Sequence, residues 1–231
     1  MFKIDKMKRV LILLLIFTIG SATAQSSITQ KLGPFKELKV YNGIDVALVK
    51  SNKVEAVISG EKASKVKFKA DNNRLKIMLN FPETTADGKA KITLYYNQDI
   101  AIIDGNEGAI ITSSMIEQEK IEIKGQEGAF INIVVAVKHL KVKSTSGSVI
   151  KLSGTAKNQY VDVDLGANYH GYNLSVSAMN VVRAGSGAKA EVDAGETLDA
   201  KVSFGGTIFY KGNPDVLVDK KVIGGVIKQR S

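Results

Sequence analysis

From Leu38 onward, apolar and polar residues alternate with a period of two. The segments "LKVYNGIDVALVK", "VEAVISG", "VKFKA", "LKIML" and "KITLYY" are alternating or β-branched runs bounded by Gly, Asn or Asp. No long window carries the 3.6-residue period of an amphipathic helix; "SSMIEQEKIEI" comes nearest but lacks an apolar stripe. The pattern predicts an all-β chain.

A second, longer period lies over the first. A Gly followed by a small residue recurs at Gly108-Ala109, Gly128-Ala129, Gly147-Ser148, Gly166-Ala167, Gly187-Ala188 and Gly206-Thr207, at spacings of 20, 19, 19, 21 and 19. Five positions before the first five glycines stand Ile103, Ile123, Val142, Val161 and Val182. Three positions after the six stand Ile111, Ile131, Ile150, Tyr169, Ala190 and Phe209. Five after, Ile133, Leu152 and Val192 continue the pattern, while Ser113, Gly171 and Lys211 break it. Two short strands and a Gly turn in about 20 residues make one coil of a solenoid, whose apolar face is buried only by stacking on its neighbours. A large antiparallel sandwich would reach this period only through coincident turn spacing, so the glycine register favours the solenoid.

The expected fold is therefore a single-stranded β-helix (a β-solenoid, taken as right-handed) with coils of about 20 residues. Residues 35–97 lack the register and hold the loop "NFPETTADGKA", so they are expected to form an irregular β entry that covers the first coil. Residues 98–213 would be the coil repeats, 214–231 a closing segment, and 25–34 a linker, the whole from residue 35 being one domain.

The first 24 residues are read as a signal peptide. Lys3, Lys6, Lys8 and Arg9 precede an apolar run over residues 10–19, and Ala22-Thr23-Ala24 fits the small-residue cleavage rule, with Gln25 as the new N-terminus. The competing reading is a membrane anchor, but a ten-residue helix spans about half of a bilayer core. The sequence thus predicts an exported protein, in the periplasm, on the outer surface or secreted, with no integral span once the signal is removed.

Composition narrows the chemistry. The chain has no Cys, which removes disulfides, thiolate metal sites and cysteine nucleophiles. Its two histidines, His139 and His170, leave little for a histidine-rich metal centre or a Ser-His-Asp triad. The net charge of +9 falls to +6 without the signal, and the bases are dispersed among apolar residues. No basic run interleaved with aromatics indicates nucleic acid. Nothing in the residues calls for a cofactor.

The opening "FKELKVYNGIDVALVK" (residues 35–50), followed by "VEAVISG" (residues 54–60), is similar to the start of the putative auto-transporter adhesin family with a head GIN domain. Gly43-Ile44-Asp45 stands where the family's name triplet ends in Asn. The segment "GGTIFYKGNPDV" (residues 205–216) resembles the family's closing Gly-x-Ile-x-Tyr-x-Gly-x-Pro, whereas "VIGGVIKQR" is plainer than its usual Gly/Ser-rich end. The resemblance covers residues 35–227 and implies an exported, β-helix-like protein with an adhesin role and no catalytic residues to carry over.

Site candidates come from the repeat register. Four positions before each glycine the column reads Lys124, Lys143, Asp162, Arg183, with Asp164 beside it. Such a column is either a charged groove for uronate sugars or an outward row whose opposite charges offset one another between coils. Tyr160, Tyr172 and Tyr210 are candidate sugar-stacking aromatics, and Tyr169 and Phe209 are assigned to the core. Glu107 and Glu127 would stack one coil apart, as a cation site or as splayed surface charges. His170 in "NYHGYN" is read as a turn residue. The function expected is a non-catalytic surface or polysaccharide binder; the alternative is a polysaccharide lyase or glycosidase of the β-helix type.

Overall fold

The structure is a computed structural model that describes residues 27–230; the expected signal peptide and its cleavage site lie outside them. The N-terminal strands are β1 (Ile28–Lys31), β2 (Glu37–Val40), β3 (Asp45–Lys50), β4 (Glu55–Ser59), β5 (Val66–Asp71), β6 (Arg74–Leu79), β7 (Lys91–Tyr96) and β8 (Ile102–Gly105). Four long strands follow: β9 (Ile110–Gly125), β10 (Phe130–Ser144), β11 (Val149–Val163) and β12 (Asn168–Ala184). Short ones close the chain: β13 (Lys189–Asp193), β14 (Thr197–Ser203), β15 (Thr207–Lys211), β16 (Val216–Val222) and β17 (Val226–Gln229). Apart from a 3-10 turn at Ala63–Lys65, no helix occurs among the described residues.

The strands stack as a β-solenoid of about 7 turns with coils of roughly 19 residues. On a first face, β6, β2, β8, the C-terminal parts of β9 to β12, β14 and β16 pair in parallel. On a second face, β7, β3, the N-terminal parts of β9 to β12, β13, β15 and β17 do the same. Inward side chains form the expected ladders: Ile103, Ile123, Val142, Val161 and Val182 on the first face, and Ile111, Ile131, Ile150, Tyr169 and Ala190 on the second, are all fully buried. The long strands change face where alternation slips, at Glu119-Lys120 and Lys138-His139, whose paired outward residues mark a corner without glycine.

The other corner has a fixed form. Glu107-Gly108, Glu127-Gly128, Ser146-Gly147, Leu165-Gly166 and Ser186-Gly187 all have positive φ at both residues, the geometry of a type I′ turn. Each glycine N–H donates to the corner carbonyl one coil on, as from Gly128 to Ser146 O at 3.1 Å and from Gly147 to Leu165 O at 3.1 Å. A row of backbone hydrogen bonds therefore locks the corners together and holds the left-handed backbone of the residue before each glycine.

The register expected for the last glycine is corrected. The sixth corner is Phe204-Gly205, so its spacing from Gly187 is 18 and the register moves by one. Ile208 and Tyr210 then point inward and are buried, while Phe209 is half-buried and packs beneath the Arg230 guanidinium, 4.3 Å from its ring centre. The closing segment forms a further coil over residues 214–230, turning at Ile223-Gly224 and pairing through β16 and β17. Within residues 35–97, β2 and β3 form a coil around Asn42-Gly43 that stacks directly on β8 and β9. Asn42 and Glu107 lie 65 residues apart yet share the corner column, Asn42 Nδ2 donating to Glu107 Oε2 at 2.6 Å. Repeat spacing could not reveal this coil because the chain leaves it, makes the antiparallel pairs β1–β4, β4–β7 and β5–β6, and lays the β6–β7 coil on its far side. That antiparallel region is the less regular N-terminal part expected from the missing register; Ile28–Lys31, read as linker, supplies its β1.

Candidate binding face

The charged column of the first face is longer than the sequence suggested. Register pairs align Lys76, Lys39, Asp104, Lys124, Lys143, Asp162, Arg183, Lys201 and Lys220 in consecutive rungs. Adjacent members are about 4.8 Å apart along the stack, since that is the spacing of paired strands. Seven of the nine are basic.

Partners differ along the column. Lys39 Nζ lies 3.0 Å from Asp104 Oδ2; burial pulls the ammonium down, but the hydrogen bond and charge of Asp104 outweigh it and hold it above the usual lysine range. Lys124 stands 3.9 Å from Glu122, which Lys141 also approaches at 3.1 Å. Arg183 does not offset Asp162 on the adjacent coil. It forks onto Asp199, with Nη1 to Oδ1 at 3.0 Å and Nη2 to Oδ2 at 2.8 Å, because Asp199 occupies the neighbouring outward column one rung on and accepts both N–H groups in plane. Among the described residues, no carboxylate comes within 4.0 Å of Lys143, Lys201 or Lys220, nor any base within 4.0 Å of Asp162.

Hollows indent this face. One of about 430 Å³ is floored by Ile121 and Leu140 and flanked by Tyr160, Met179, Val181 and His139. A second, of about 390 Å³, is lined by Tyr160, Asp162, Asp164, Arg183, Lys201 and Phe204. A third, of about 280 Å³, holds Lys39, Asp104, Lys124 and Lys143. Tyr160, 38% exposed, is common to the first two and joins apolar to charged surface.

The structure thus brings Tyr160, Asp162, Asp164 and Arg183 to one hollow and Lys124 and Lys143 to another. Two candidates lie elsewhere. Tyr172 follows the second-face part of β12 where the register with β11 slips, near Glu191 and Arg230; burial, then the Glu191 charge, push its hydroxyl up. Tyr210 points into the core once the last coils are registered correctly, which removes it as a surface aromatic. The sequence reading missed Met179, Leu140 and Ile121, whose apolar character reads as core, and Lys201 and Lys220, which follow from extending the same column.

His170 is a strand residue, its Nδ1 2.6 Å from Glu191 Oε2, and not part of a turn. Glu107 and Glu127 sit at successive corners, and Asn42 takes one oxygen of Glu107. Among the described residues, no group of three or more His, Asp or Glu is placed to hold a metal ion. The first face offers stacked cations, the exposed aromatics Tyr160 and Phe204 at one hollow and an apolar floor at another, an arrangement suited to holding an extended ligand across rungs.

The sequence profile of the family described as "Putative auto-transporter adhesin, head GIN domain" matches residues 34–214, most of the chain. The chain belongs to that family. Its fold is shared with three crystal structures. A putative adhesin from Bacteroides fragilis NCTC 9343 superposes with a TM-score of 0.77 at 21% identity, covering 90% of this chain and 98% of that one. A putative adhesin from Parabacteroides merdae ATCC 43184 gives 0.66 at 14%, covering 91% and 98%. A putative lipid binding protein from Parabacteroides distasonis ATCC 8503 gives 0.69 at 13%, also covering 91% and 98%. At such identities these likenesses concern the head-GIN solenoid itself and not its ligand. No curated protein matches the chain. Among the described residues no helix is long and apolar enough to cross a membrane.

Proposed function

We propose that this head-GIN protein is an exported, non-catalytic adhesin that holds an extended anionic polysaccharide along its first face, at the outer surface, in the periplasm or in the medium. The observation that carries the reading is the column of cations at rung spacing beside Tyr160, with Lys143 and Lys201 free of carboxylate partners among the described residues. A polymer with regularly repeated carboxylates or sulfates would meet these ammonium groups in series, each contact weak and salt-screened. Tyr160 offers a ring face against which a sugar ring can stack, and the Ile121–Leu140 floor accepts the apolar side of the next one. Family membership supports surface binding, and no cofactor is required.

A glycan array carrying uronate, sulfated and neutral polymers tests the reading. Binding should favour the anionic polymers, weaken as salt rises, and drop by about tenfold or more in the Tyr160→Ala, Lys143→Glu double variant, equivalent to the loss of one stacking and one charge contact. Equal retention of neutral polymers would refute it. Release of shortened or unsaturated products would instead establish the lyase or glycosidase alternative.

A further inference from the structure

The residue before each corner glycine has positive φ in every coil, a conformation that Asn tolerates and that bulky apolar side chains avoid. Asn42, Glu107, Glu127, Ser146 and Ser186 suit an exposed turn. Leu165, Phe204 and Ile223 do not: their φ values are 50°, 48° and 47°, and they are 57%, 63% and 69% exposed. The chain therefore places three large apolar groups where both backbone and hydration oppose them, and no other segment among the described residues covers them. Local strain without an internal return marks a surface shaped for something outside the molecule.

Charge lies alongside. Lys201 stands three residues before Phe204 and Lys220 three before Ile223, both exposed in the cation column, and Phe204 lines one hollow with Lys201 and Arg183. Acids share the edge at one end: Asp162 and Asp164 line the hollow with Phe204 and Lys201, Asp164 Oδ1 accepting from the Leu165 N–H at 2.9 Å. At the other end Asp219 is 3.4 Å from Lys221, so the cations dominate at the Phe204–Ile223 end.

We propose that this corner is an edge that docks on an anionic lipid bilayer, with Phe204, Ile223 and Leu165 entering the boundary between headgroups and acyl chains while Lys201 and Lys220 meet lipid phosphates. Shape selects the partner. The ridge is convex, one side chain wide and four corners long, about 14 Å, with Ser186 between Leu165 and the Phe204–Ile223 pair. Such a ridge presents little of the roughly 1,000 Å² that a stable protein interface needs, whereas a fluid layer closes around each side chain. Cations beside the inserted groups add attraction to an anionic leaflet. The edge adjoins the glycan face, since Phe204 and Lys201 line one hollow with Tyr160; the two readings are separated by their tests, vesicle partition following Leu165, Phe204 and Ile223 and the glycan array following Tyr160 and Lys143.

The chain contains no Trp, so Phe204→Trp is a single local reporter. The protein as recovered from cells, carrying this substitution, would be mixed with phosphatidylcholine vesicles and with vesicles containing phosphatidylglycerol. Emission should shift to the blue and be quenched by brominated acyl chains with the anionic vesicles only. Leu165→Asn, Phe204→Asn and Ile223→Asn together suit the corner backbone, so that variant should fold; its partition onto anionic vesicles should fall by an order of magnitude or more, about the loss expected for removing three inserted apolar groups. Lys201→Glu with Lys220→Glu should abolish the preference for anionic lipid. Unchanged emission from the Phe204→Trp protein, or equal partition of the triple Asn variant, would overturn the proposal. A blue shift that grows with protein concentration without vesicles would overturn it in favour of a second copy of the chain, and one produced by a soluble polyanion but not by vesicles in favour of a polymer ligand.

Discussion

Tyr169 fills the interior space that Gly171 leaves open: a Cβ on Gly171 would lie 2.6 Å from the Tyr169 Cε1 and hydroxyl oxygen. The preceding coil uses Ile150 and Leu152 at the same two positions, so one large and one absent side chain replace two of middle size. Tyr169 is fully buried and its hydroxyl is held by the Gln159 side-chain amide, which leaves the ring no room to retreat. Gly171→Ala should destabilise the protein by about 1–3 kcal/mol, the usual cost of overpacking. Urea denaturation would show it, and adding Tyr169→Ile should recover part of the loss. A neutral Gly171→Ala would show that the ring can move.

Ile150 and Lys151 test the stack itself. Ile150 is fully buried between Ile131 and Tyr169, while Lys151 is exposed, its ammonium 5.4 Å from the Phe130 ring centre. Ile150→Asp places an unpaired carboxylate in the core, a cost of several kcal/mol against a total stability of about 5–15. Lys151→Asp gives up at most one exposed cation–π contact and should cost less than about 1 kcal/mol. Hydrogen exchange should show the core variant loosening coils on both sides of Ile150 first, because solenoid stability is built from neighbouring interfaces. Similar melting temperatures for the two variants would contradict the register.

Ile131, Ile150 and Val142 were legible because each repeats at a constant distance from a glycine, and distance along the chain equals position in the coil wherever coils follow in order. Leu38 and Val46 belong to the same columns but were not legible, because their coil lies next to one that begins 65 residues later at the shared corner. Tyr210 was misplaced for a smaller reason: Gly205 and Gly206 are adjacent, and only backbone geometry tells which of them turns the corner. Period and parity locate a column. They do not show where an outward side chain goes, so the Arg183–Asp199 fork, and the lack of a carboxylate beside Lys143 among the described residues, had no signature in the sequence.

Acid should act on the second face through Glu191. Burial pushes its carboxyl up, but hydrogen bonds from Lys189 and His170, with their charges, outweigh burial and hold it below the usual carboxylate range. A carboxyl with a lowered folded value adds stability above its unfolded value, near about 4.3, that is lost as pH falls through the folded value. Glu191→Gln should therefore reduce stability at neutral pH and flatten the acid limb of the stability profile. Denaturant titrations from neutral to strongly acidic pH would show parallel curves for the two proteins if Glu191 contributes nothing.

Two glycines of the corners serve opposite needs, and substituting each by Ala separates them. Gly147 has a φ of +71° and nothing within 4 Å of where a Cβ would stand, so it is present for backbone conformation alone. Gly206 has no positive φ, but a Cβ there would lie 2.2 Å from the Ala184 carbonyl oxygen, at a position that carries Ala109, Ala129, Ser148, Ala167 and Ala188 in earlier coils. Gly147→Ala should cost about 1–2 kcal/mol, the penalty of a left-handed L-residue, and leave its neighbours unmoved. Gly206→Ala must push backbone away from backbone and should cost about 3 kcal/mol or more, with amides of β14 to β17 losing exchange protection first. Because Gly147→Ala strains one turn and Gly206→Ala separates two rungs, only the second should raise the denaturant sensitivity of the last coils relative to the first. If both variants lost protection evenly along the stack, the terminal coils would not be coupled through the Gly206 contact.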